Sequence, residues 1–186
     1  MSRAVFFDRD GVLNSAVLRD GRTYAPLSLD EFHIEPEAPE AVERIRAAGL
    51  ETVVVTNQPE LSVGTLDQSV LDAMHEQIRA SLGINNFYVC PHTSDSDCVC
   101  HKPAPRLILD ACQALRVEAS GSYMIGDRWR DVGAGKAAGC LTILIKRDYS
   151  FIGCPTVFTE EADVSVGSLS DAVSTILEYE QKYRSG

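Results

Sequence analysis

Residues 6–14 read Phe-Phe-Asp-Arg-Asp-Gly-Val-Leu-Asn, and this stretch carries most of the fold prediction. The apolar run Ala4–Phe7 predicts a short buried strand, and two carboxylates, Asp8 and Asp10, follow it directly. In open α/β sheets the carboxyl ends of the strands form the edge at which ligands bind. Two carboxylates placed close together raise the free energy of the fold unless a cation offsets their repulsion. The pair therefore predicts a bound metal, a reaction, or both.

The segment Asp8-x-Asp10-Gly11 has two other interpretations besides a ligand site. Asp and Gly are common in turns, so Asp-x-Asp-Gly could simply close a turn. A calcium-binding EF-hand loop fails, because the fifth and sixth loop positions counted from Asp8 are Val12 and Leu13, where an oxygen ligand and a glycine are needed. The rest of the chain has to decide between the turn and the site.

Length and composition narrow the class of protein. The 186 residues are enough for one domain with a hydrophobic core, and we expect 1–186 to form a single domain. The formal net charge of −10 disfavours general nucleic-acid binding, and no apolar run approaches the roughly 18 residues of a membrane span. We therefore expect a cytoplasmic monomer without nucleic-acid or membrane partners, whose six cysteines are thiols or metal ligands.

Strand and helix patterns alternate along the chain. Further strands are predicted at Thr52–Thr56, Phe87–Val89, Tyr123–Ile125, Leu141–Ile145 and Asp163–Val166. Helices are predicted at Glu37–Ala48, Leu66–Leu82, Ala104–Leu115, Val132–Ala138 and Leu169–Tyr183. The irregular segment Arg19–Phe32 is expected to form a loop or flap near the first acids. The alternation predicts a three-layer Rossmann-like α/β fold, with helices on both faces of a parallel sheet.

Further polar residues follow the ends of other predicted strands. They are Thr56, Asn57 and Gln58, then Lys102, and finally Asp127 and Asp131. Because parallel strands end at one edge of the sheet, we expect these side chains to share a cleft with the first two acids. Thr56 and Asn57 can donate hydrogen bonds to phosphoryl oxygens there.

The residue types in this set suit phosphoryl transfer. Asp8 can attack phosphorus and form an aspartyl-phosphate, while Asp10 can protonate the leaving oxygen and later accept a proton from water. Lys102 supplies positive charge against the developing negative charge. The carboxylates of Asp8 and Asp127, with the Asp10 backbone carbonyl, offer the hard oxygen ligands that Mg²⁺ prefers, and Asp131 can hold a water on that metal.

Four segments in this order resemble the four motifs of the haloacid dehalogenase superfamily of phosphatases. They are Asp8-x-Asp10-Gly11, Thr56-Asn57, Lys102-Pro103 and Gly126-Asp127-x-x-x-Asp131. The gaps from Asp10 to Thr56 and from Thr56 to Lys102 each hold 45 residues. Neither gap can hold a separate domain of typical size once its strands and helices are subtracted, so we expect no cap domain.

A second metal-binding pattern lies just before Lys102. Cys90, His92, Cys98 and Cys100 place three thiols and an imidazole within eleven residues, which matches a closed Cys₃His zinc site. The alternative, small buried residues, is disfavoured because the intervening residues are polar and give no core of their own. We expect a structural Zn²⁺ that stiffens a zinc loop, residues 90–101.

A capless core with this cysteine pattern resembles the subfamily of heptose bisphosphate and histidinol-phosphate phosphatases. The resemblance implies a phosphomonoesterase acting on a sugar phosphate such as D-glycero-D-manno-heptose 1,7-bisphosphate, from which the 7-phosphate is removed. Histidinol phosphate, or another small phosphomonoester, is the alternative substrate. Further substrate contacts are expected from Gln58, His101 and Arg128.

The chain departs from the subfamily pattern in two places. The subfamily usually has Arg before the Lys-Pro pair, where this chain has His101. It also usually has an Arg-containing loop after Thr-Asn-Gln, where this chain has Pro59–Gly64 with an acid, Glu60. Both changes remove positive charge where a second phosphate would lie.

Two rival functions come from the same residues. A non-catalytic scaffold would use the zinc loop to dock a partner, but such a module has no need of paired carboxylates beside Lys102. A phosphotransferase differs from a phosphatase only in the acceptor that attacks the intermediate, and the sequence leaves that acceptor open.

Overall fold

The computed structural model describes residues 2–19, 22–94 and 97–184. Its strands are β1 Ala4–Phe7, β2 Val17–Arg19, β3 Arg22–Tyr24, β4 Glu51–Asn57, β5 Asn86–Cys90, β6 Tyr123–Gly126, β7 Leu141–Ile145 and β8 Val164–Val166. Its α-helices are α1 Ala38–Ala47, α2 Gln68–Leu82, α3 Arg106–Leu115, α4 Trp129–Ala138 and α5 Leu169–Arg184. Short 3₁₀ turns occupy Leu29–Glu31 and Pro59–Leu61.

Six of the strands form one sheet in the order β5-β4-β1-β6-β7-β8, and every neighbouring pair is parallel. β1 therefore lies between β4 and β6, and the chain leaves it on one side to build β4 and β5 and returns on the other to build β6 to β8. This reversal of strand order is the place where open α/β sheets form a ligand crevice.

Apolar residues on both faces of the sheet create two packed layers. In β1, Val5 and Phe7 pack with α1, α2 and α5, whereas Ala4 and Phe6 pack with α3 and α4. Continuous apolar strands of this kind belong to parallel sheets that are covered on both sides. The predicted three-layer α/β fold is confirmed, whereas a single domain without a cap stays a prediction.

The segment Arg19–Phe32 is more regular than its sequence indicates. β2 and β3 form an antiparallel hairpin, and the 3₁₀ turn Leu29–Glu31 follows it. Asp20 and Gly21 lie outside the described ranges. Strands of three residues are too short to show an alternating pattern, so the prediction of an irregular segment is wrong for this part.

Three helices also begin two or three residues away from their predicted starts, and one of them, α3, begins at Arg106 rather than Ala104. α4 begins at Trp129 rather than Val132, because the Asp131 carboxylate accepts a hydrogen bond from the Arg128 N–H at 3.0 Å and so closes the first turn. α2 begins at Gln68, after the extended residue Asp67. Within the described ranges, no helix is long and apolar enough to cross a membrane.

Candidate active site

A cleft of about 250 Å³ lies at the carboxyl ends of β1 and β4. Its walls include most of the residues that the sequence predicted for the site, namely Asp8, Asp10, Thr56, Asn57, His101, Lys102, Arg128 and Asp131. Asp127 directly follows β6 beneath this cleft and is 1% exposed. The parallel sheet thus brings together residues that are more than one hundred positions apart.

Three buried carboxylates form the floor of the site. Asp8, Asp127 and Asp131 each offer an oxygen, and these oxygens lie within 4.8 Å of one another. Both carboxylate oxygens of Asp127 are buried and lack a hydrogen-bond partner of good geometry among the described residues. Gly11, at a φ of +88°, makes this approach possible, because a Cβ atom there would clash with the Asp127 carboxylate.

The crowding of these acids changes their acidity. Burial, with the nearby charges of Asp8 and Asp131, raises the pKa of Asp127 to about 8. Burial and the charge of Asp131 likewise raise the pKa of Asp8 to about 6. A divalent cation would offset this repulsion, and a cluster of hard oxygen donors that includes the Asp127 carboxylate fits Mg²⁺.

Lys102 connects the acids through one buried ammonium group. Its Nζ donates to Asp8 Oδ1 at 2.9 Å, to Asp131 Oδ1 at 2.6 Å and to the Val55 carbonyl at 2.9 Å, which uses all three of its donors. Burial opposes the charge of Lys102, but Asp131 and Asp8 outweigh it and raise its pKa. A fixed positive charge therefore lies beside Asp8, where it can stabilise negative charge.

Asn57 holds the chain that presents Lys102. Its Oδ1 accepts from the Lys102 N–H at 3.0 Å, and its Nδ2 donates to the Lys102 carbonyl at 3.2 Å. The same Nδ2 lies 3.3 Å from His101 Nδ1. The amide is thus occupied by protein groups, which favours a positioning role over the phosphoryl contact expected from the sequence.

Gln58 lies behind the cleft rather than on its wall. It is fully buried, and its Nε2 donates to Asp10 Oδ2 at 2.7 Å and to Thr56 Oγ1 at 2.9 Å. This geometry favours positioning of Asp10 over the predicted substrate contact. The substrate contacts predicted for Thr56, His101 and Arg128 stay predictions.

The structure adds cleft residues that the sequence did not indicate. The β2–β3 hairpin contributes Thr23 and Tyr24 to the wall, and the Arg128 guanidinium donates to Thr23 Oγ1 while lying 5.0 Å from the centre of the Tyr149 ring. Arg130 also lines the cleft and covers the Trp129 ring at 4.9 Å. The hairpin carries no recognisable motif, but its place in the cleft agrees with the expectation that the segment Arg19–Phe32 lies near the first acids.

Glu60, in the 3₁₀ turn after β4, adds a further acid to the cleft. It lines the wall, and its Oε2 is buried without a hydrogen-bond partner among the described residues. Burial raises its pKa, and the charge of Asp10 raises it further. An anionic group on a ligand would therefore meet repulsion on this side of the cleft.

The predicted zinc ligands also meet. The thiols of Cys90, Cys98 and Cys100 lie 3.6, 3.0 and 3.6 Å from His92 Nδ1, and the four donor atoms are mutually within 4.8 Å. Cys90 ends β5 and is buried, whereas the other three are partly exposed. Three soft sulfur donors and one imidazole in a compact cluster fit a four-coordinate Zn²⁺.

Comparison with known families agrees with this geometry. The family model described as haloacid dehalogenase-like hydrolase matches residues 15–139, more than half of the chain. This chain belongs to the haloacid dehalogenase-like hydrolase family. The family predicted from the four motifs is thus confirmed, and with it the prediction that the chain is a hydrolase.

Several curated relatives of this haloacid dehalogenase-like hydrolase share one enzyme name. The Pseudomonas aeruginosa D-glycero-beta-D-manno-heptose-1,7-bisphosphate 7-phosphatase is 34% identical over 152 residues, which cover 78% of this chain and 83% of that enzyme. The enzyme of the same name from Escherichia coli K12 is 29% identical over 187 residues, covering 93% of each chain.

Solved structures share the fold over nearly the whole chain. The D,D-heptose 1,7-bisphosphate phosphatase from B. bronchiseptica, solved with magnesium and phosphate, superposes with a TM-score of 0.81 at 27% identity, covering 95% of this chain and 99% of that one. The phosphatase of that name from Burkholderia thailandensis has a TM-score of 0.66 at 24% identity, covers 95% and 99% of the two chains, and supports the fold alone.

Proposed function

We propose that this hydrolase is a Mg²⁺-dependent phosphomonoesterase that forms an aspartyl-phosphate on Asp8. The observation that carries the proposal is the buried set of Asp8, Asp127 and Asp131, with the Lys102 ammonium 2.9 Å from Asp8. Mg²⁺ held by these carboxylates, with the Asp10 backbone carbonyl, would supply positive charge to the phosphoryl oxygens. The relatives named as phosphatases support the same reaction.

The proposed reaction has two displacements at phosphorus. Asp8 Oδ1 accepts from both Lys102 Nζ and the Arg9 N–H, so Oδ2 is the oxygen proposed for attack. As the new bond to phosphorus forms, the ester bond breaks, and Asp10 gives its proton to the departing oxygen. Water then attacks the phosphorus of the aspartyl-phosphate, Asp10 takes back a proton, and phosphate leaves as the Asp8 carboxylate is restored.

The proposed substrate is a small phosphorylated sugar. Relatives named for heptose bisphosphate favour D-glycero-D-manno-heptose 1,7-bisphosphate, with removal of the 7-phosphate. Histidinol phosphate or another small phosphomonoester is the second candidate, because His101 and Glu60 line the cleft without adding a fixed positive charge. We further propose a cytoplasmic monomer whose Cys₃His cluster holds a structural Zn²⁺.

Phosphate release by the purified protein tests this function. The panel contains the heptose bisphosphate, histidinol phosphate, a generic sugar monophosphate and p-nitrophenyl phosphate, each with Mg²⁺. We expect release from at least one ester, its loss when Mg²⁺ is chelated, and its recovery when Mg²⁺ is added back. Absence of release from every ester would reject the phosphatase in favour of a scaffold that docks a partner.

A further inference from the structure

Arg9 lies between the two motif acids and is completely buried. Its Nε donates to Asp10 Oδ1 at 3.0 Å, and its Nη2 donates to Asp10 Oδ2 at 3.0 Å, so the guanidinium holds both carboxylate oxygens. Nη2 also donates to Gln58 Oε1 at 3.0 Å. On its other side, Nη1 lies 3.9 Å from Met74 Sδ, and the Phe32 ring centre is 5.8 Å from Cζ.

Stability alone is a weak reason for this arrangement. Taking a guanidinium out of water is costly, and buried ion pairs are often no more stabilising than apolar side chains of similar volume. The pair does, however, fix the plane of the Asp10 carboxyl group, because a planar fork allows one orientation only. Met74 and Phe32, both buried, pack against the guanidinium on its other side.

We propose that Arg9 is a positioning residue that aims Asp10 at the departing oxygen of the ester. The inference rests on the proposed function, in which Asp10 is the proton donor. Arg9 itself does not line the cleft, whereas Asp10 does, with 14% of its side chain exposed. Arg9 therefore acts on the reaction through Asp10.

Two other side chains fix the same orientation of the Asp10 carboxyl group. Besides Arg9, Asn14 Nδ2 donates to Oδ1 at 2.9 Å and Gln58 Nε2 donates to Oδ2 at 2.7 Å. Together with the two hydrogen bonds from Arg9, they hold both carboxylate oxygens in place.

Esters that differ in the leaving group test this role. An alkyl phosphate needs a proton on its departing oxygen, whereas p-nitrophenyl phosphate leaves as a stabilised phenolate and needs little help. The quantity measured is kcat/KM, which covers the steps up to phosphoryl transfer to Asp8 and omits hydrolysis of the intermediate. For Arg9→Met we expect kcat/KM for a sugar phosphate to fall about 100-fold, the scale of general acid catalysis.

The same variant should leave kcat/KM for p-nitrophenyl phosphate within about threefold of the unchanged protein, since no proton donor is needed. A purely structural defect, or a disturbed metal site, would lower both values together, and equal losses would overturn the proposal. Arg106→Met, which removes an exposed arginine from the start of α3, is the matched control and should change neither value.

Two further variants keep the test decisive if Arg9→Met does not fold. Arg9→Lys retains the buried charge but cannot hold both oxygens, and Gln58→Leu removes a second donor from Asp10. Both should show the same selective loss with a smaller amplitude, and losses that are equal for the two esters would overturn the inference. Failure of the unchanged protein to hydrolyse any ester would instead contradict the proposed function itself.

Discussion

The two candidate metal sites of this molecule are built in opposite ways. The Cys₃His cluster takes all four donors from one segment, residues 90–100, and three of them are partly exposed. The acid cluster takes its donors from Asp8, Asp127 and Asp131, which meet only because β1 and β6 are neighbours in the sheet. The Cys₃His cluster therefore depends on the spacing of its residues along the chain, whereas the acid cluster depends on the whole fold.

The difference extends to what each site can do. Four protein donors complete the tetrahedral preference of Zn²⁺, so the cysteine cluster has no position for substrate. Three carboxylates leave several positions of an octahedral Mg²⁺ for water or phosphoryl oxygens. The unpartnered oxygens of Asp127 lie at the acid site, beside the cleft. We infer that the first site supports the structure and that the second takes part in the reaction.

The largest expected effect is that of Asp8→Asn. The amide cannot act as the nucleophile, so we expect kcat to fall by at least about 10⁴-fold on every accepted ester. The fold should persist, because Lys102 keeps its hydrogen bonds to Asp131 and the Val55 carbonyl. Phosphate release and thermal unfolding followed by circular dichroism measure the two quantities.

Asp171→Asn is the matched control for this variant. It makes the same chemical change at an exposed aspartate in the first turn of α5, so activity and melting temperature should both stay unchanged. An Asp8→Asn protein that retained turnover would reject the aspartyl-phosphate mechanism and, with it, the contrast between a reactive and a structural metal site.

Removal of one zinc ligand should have an intermediate effect. Cys98→Ser takes away a soft donor, and we expect the protein to lose its stoichiometric zinc, measured by elemental analysis. We expect kcat/KM to fall about tenfold, the scale that applies when groups around a metal are removed. Lys102 should stay partly in place, since Asn57 and two carboxylates hold it independently.

Cys154→Ser serves as the control for the cluster, because this thiol lies outside the four-donor set. It should keep both the zinc and the activity. The Mg²⁺ concentration that gives half-maximal activity should be the same in Cys98→Ser as in the unchanged protein. A large shift in that concentration would show that the two metal sites are coupled. It would contradict the inference that the cysteine cluster has only a structural role.

Sequence patterns predicted the sheet and the meeting of its strand ends, because both follow from hydrophobic patterning. The valine run of β4 places Thr56 at the cleft, and the apolar β6 places Asp127 beneath it. The zinc donors were also predictable, since they need only local spacing. These parts depend on the chain's periodicity and on the geometry of parallel sheets.

Side-chain direction at the strand ends was not predictable in this way. Gln58, directly after β4, turns inward to Asp10, and Asn57, the last residue of β4, binds the backbone of Lys102. Arg9 is fully buried, which is exceptional for a charged residue and has no signature in a single sequence. The β2–β3 hairpin has strands of three residues, too short for periodicity to reveal.

The smallest expected effect concerns Glu60, an acid of the cleft that is not one of the three proposed magnesium ligands. Glu60→Gln removes one negative charge while keeping the shape of the side chain. We expect kcat/KM for an ester with a second phosphate to rise about fivefold, the scale of one like charge in a partly solvated cleft. The value for p-nitrophenyl phosphate should stay the same, because that ester has no second anionic group.

The Mg²⁺ dependence of Glu60→Gln tests which carboxylates belong to the acid cluster. If only Asp8, Asp127 and Asp131 provide carboxylates to Mg²⁺, the concentration for half-maximal activity should not change in this variant. Glu43→Gln, at an exposed position of α1, is the matched control and should alter neither substrate preference nor metal dependence. A weaker Mg²⁺ response in Glu60→Gln alone would enlarge the acid site beyond the ends of β1 and β6, and its ligands would then also come from the loop after β4.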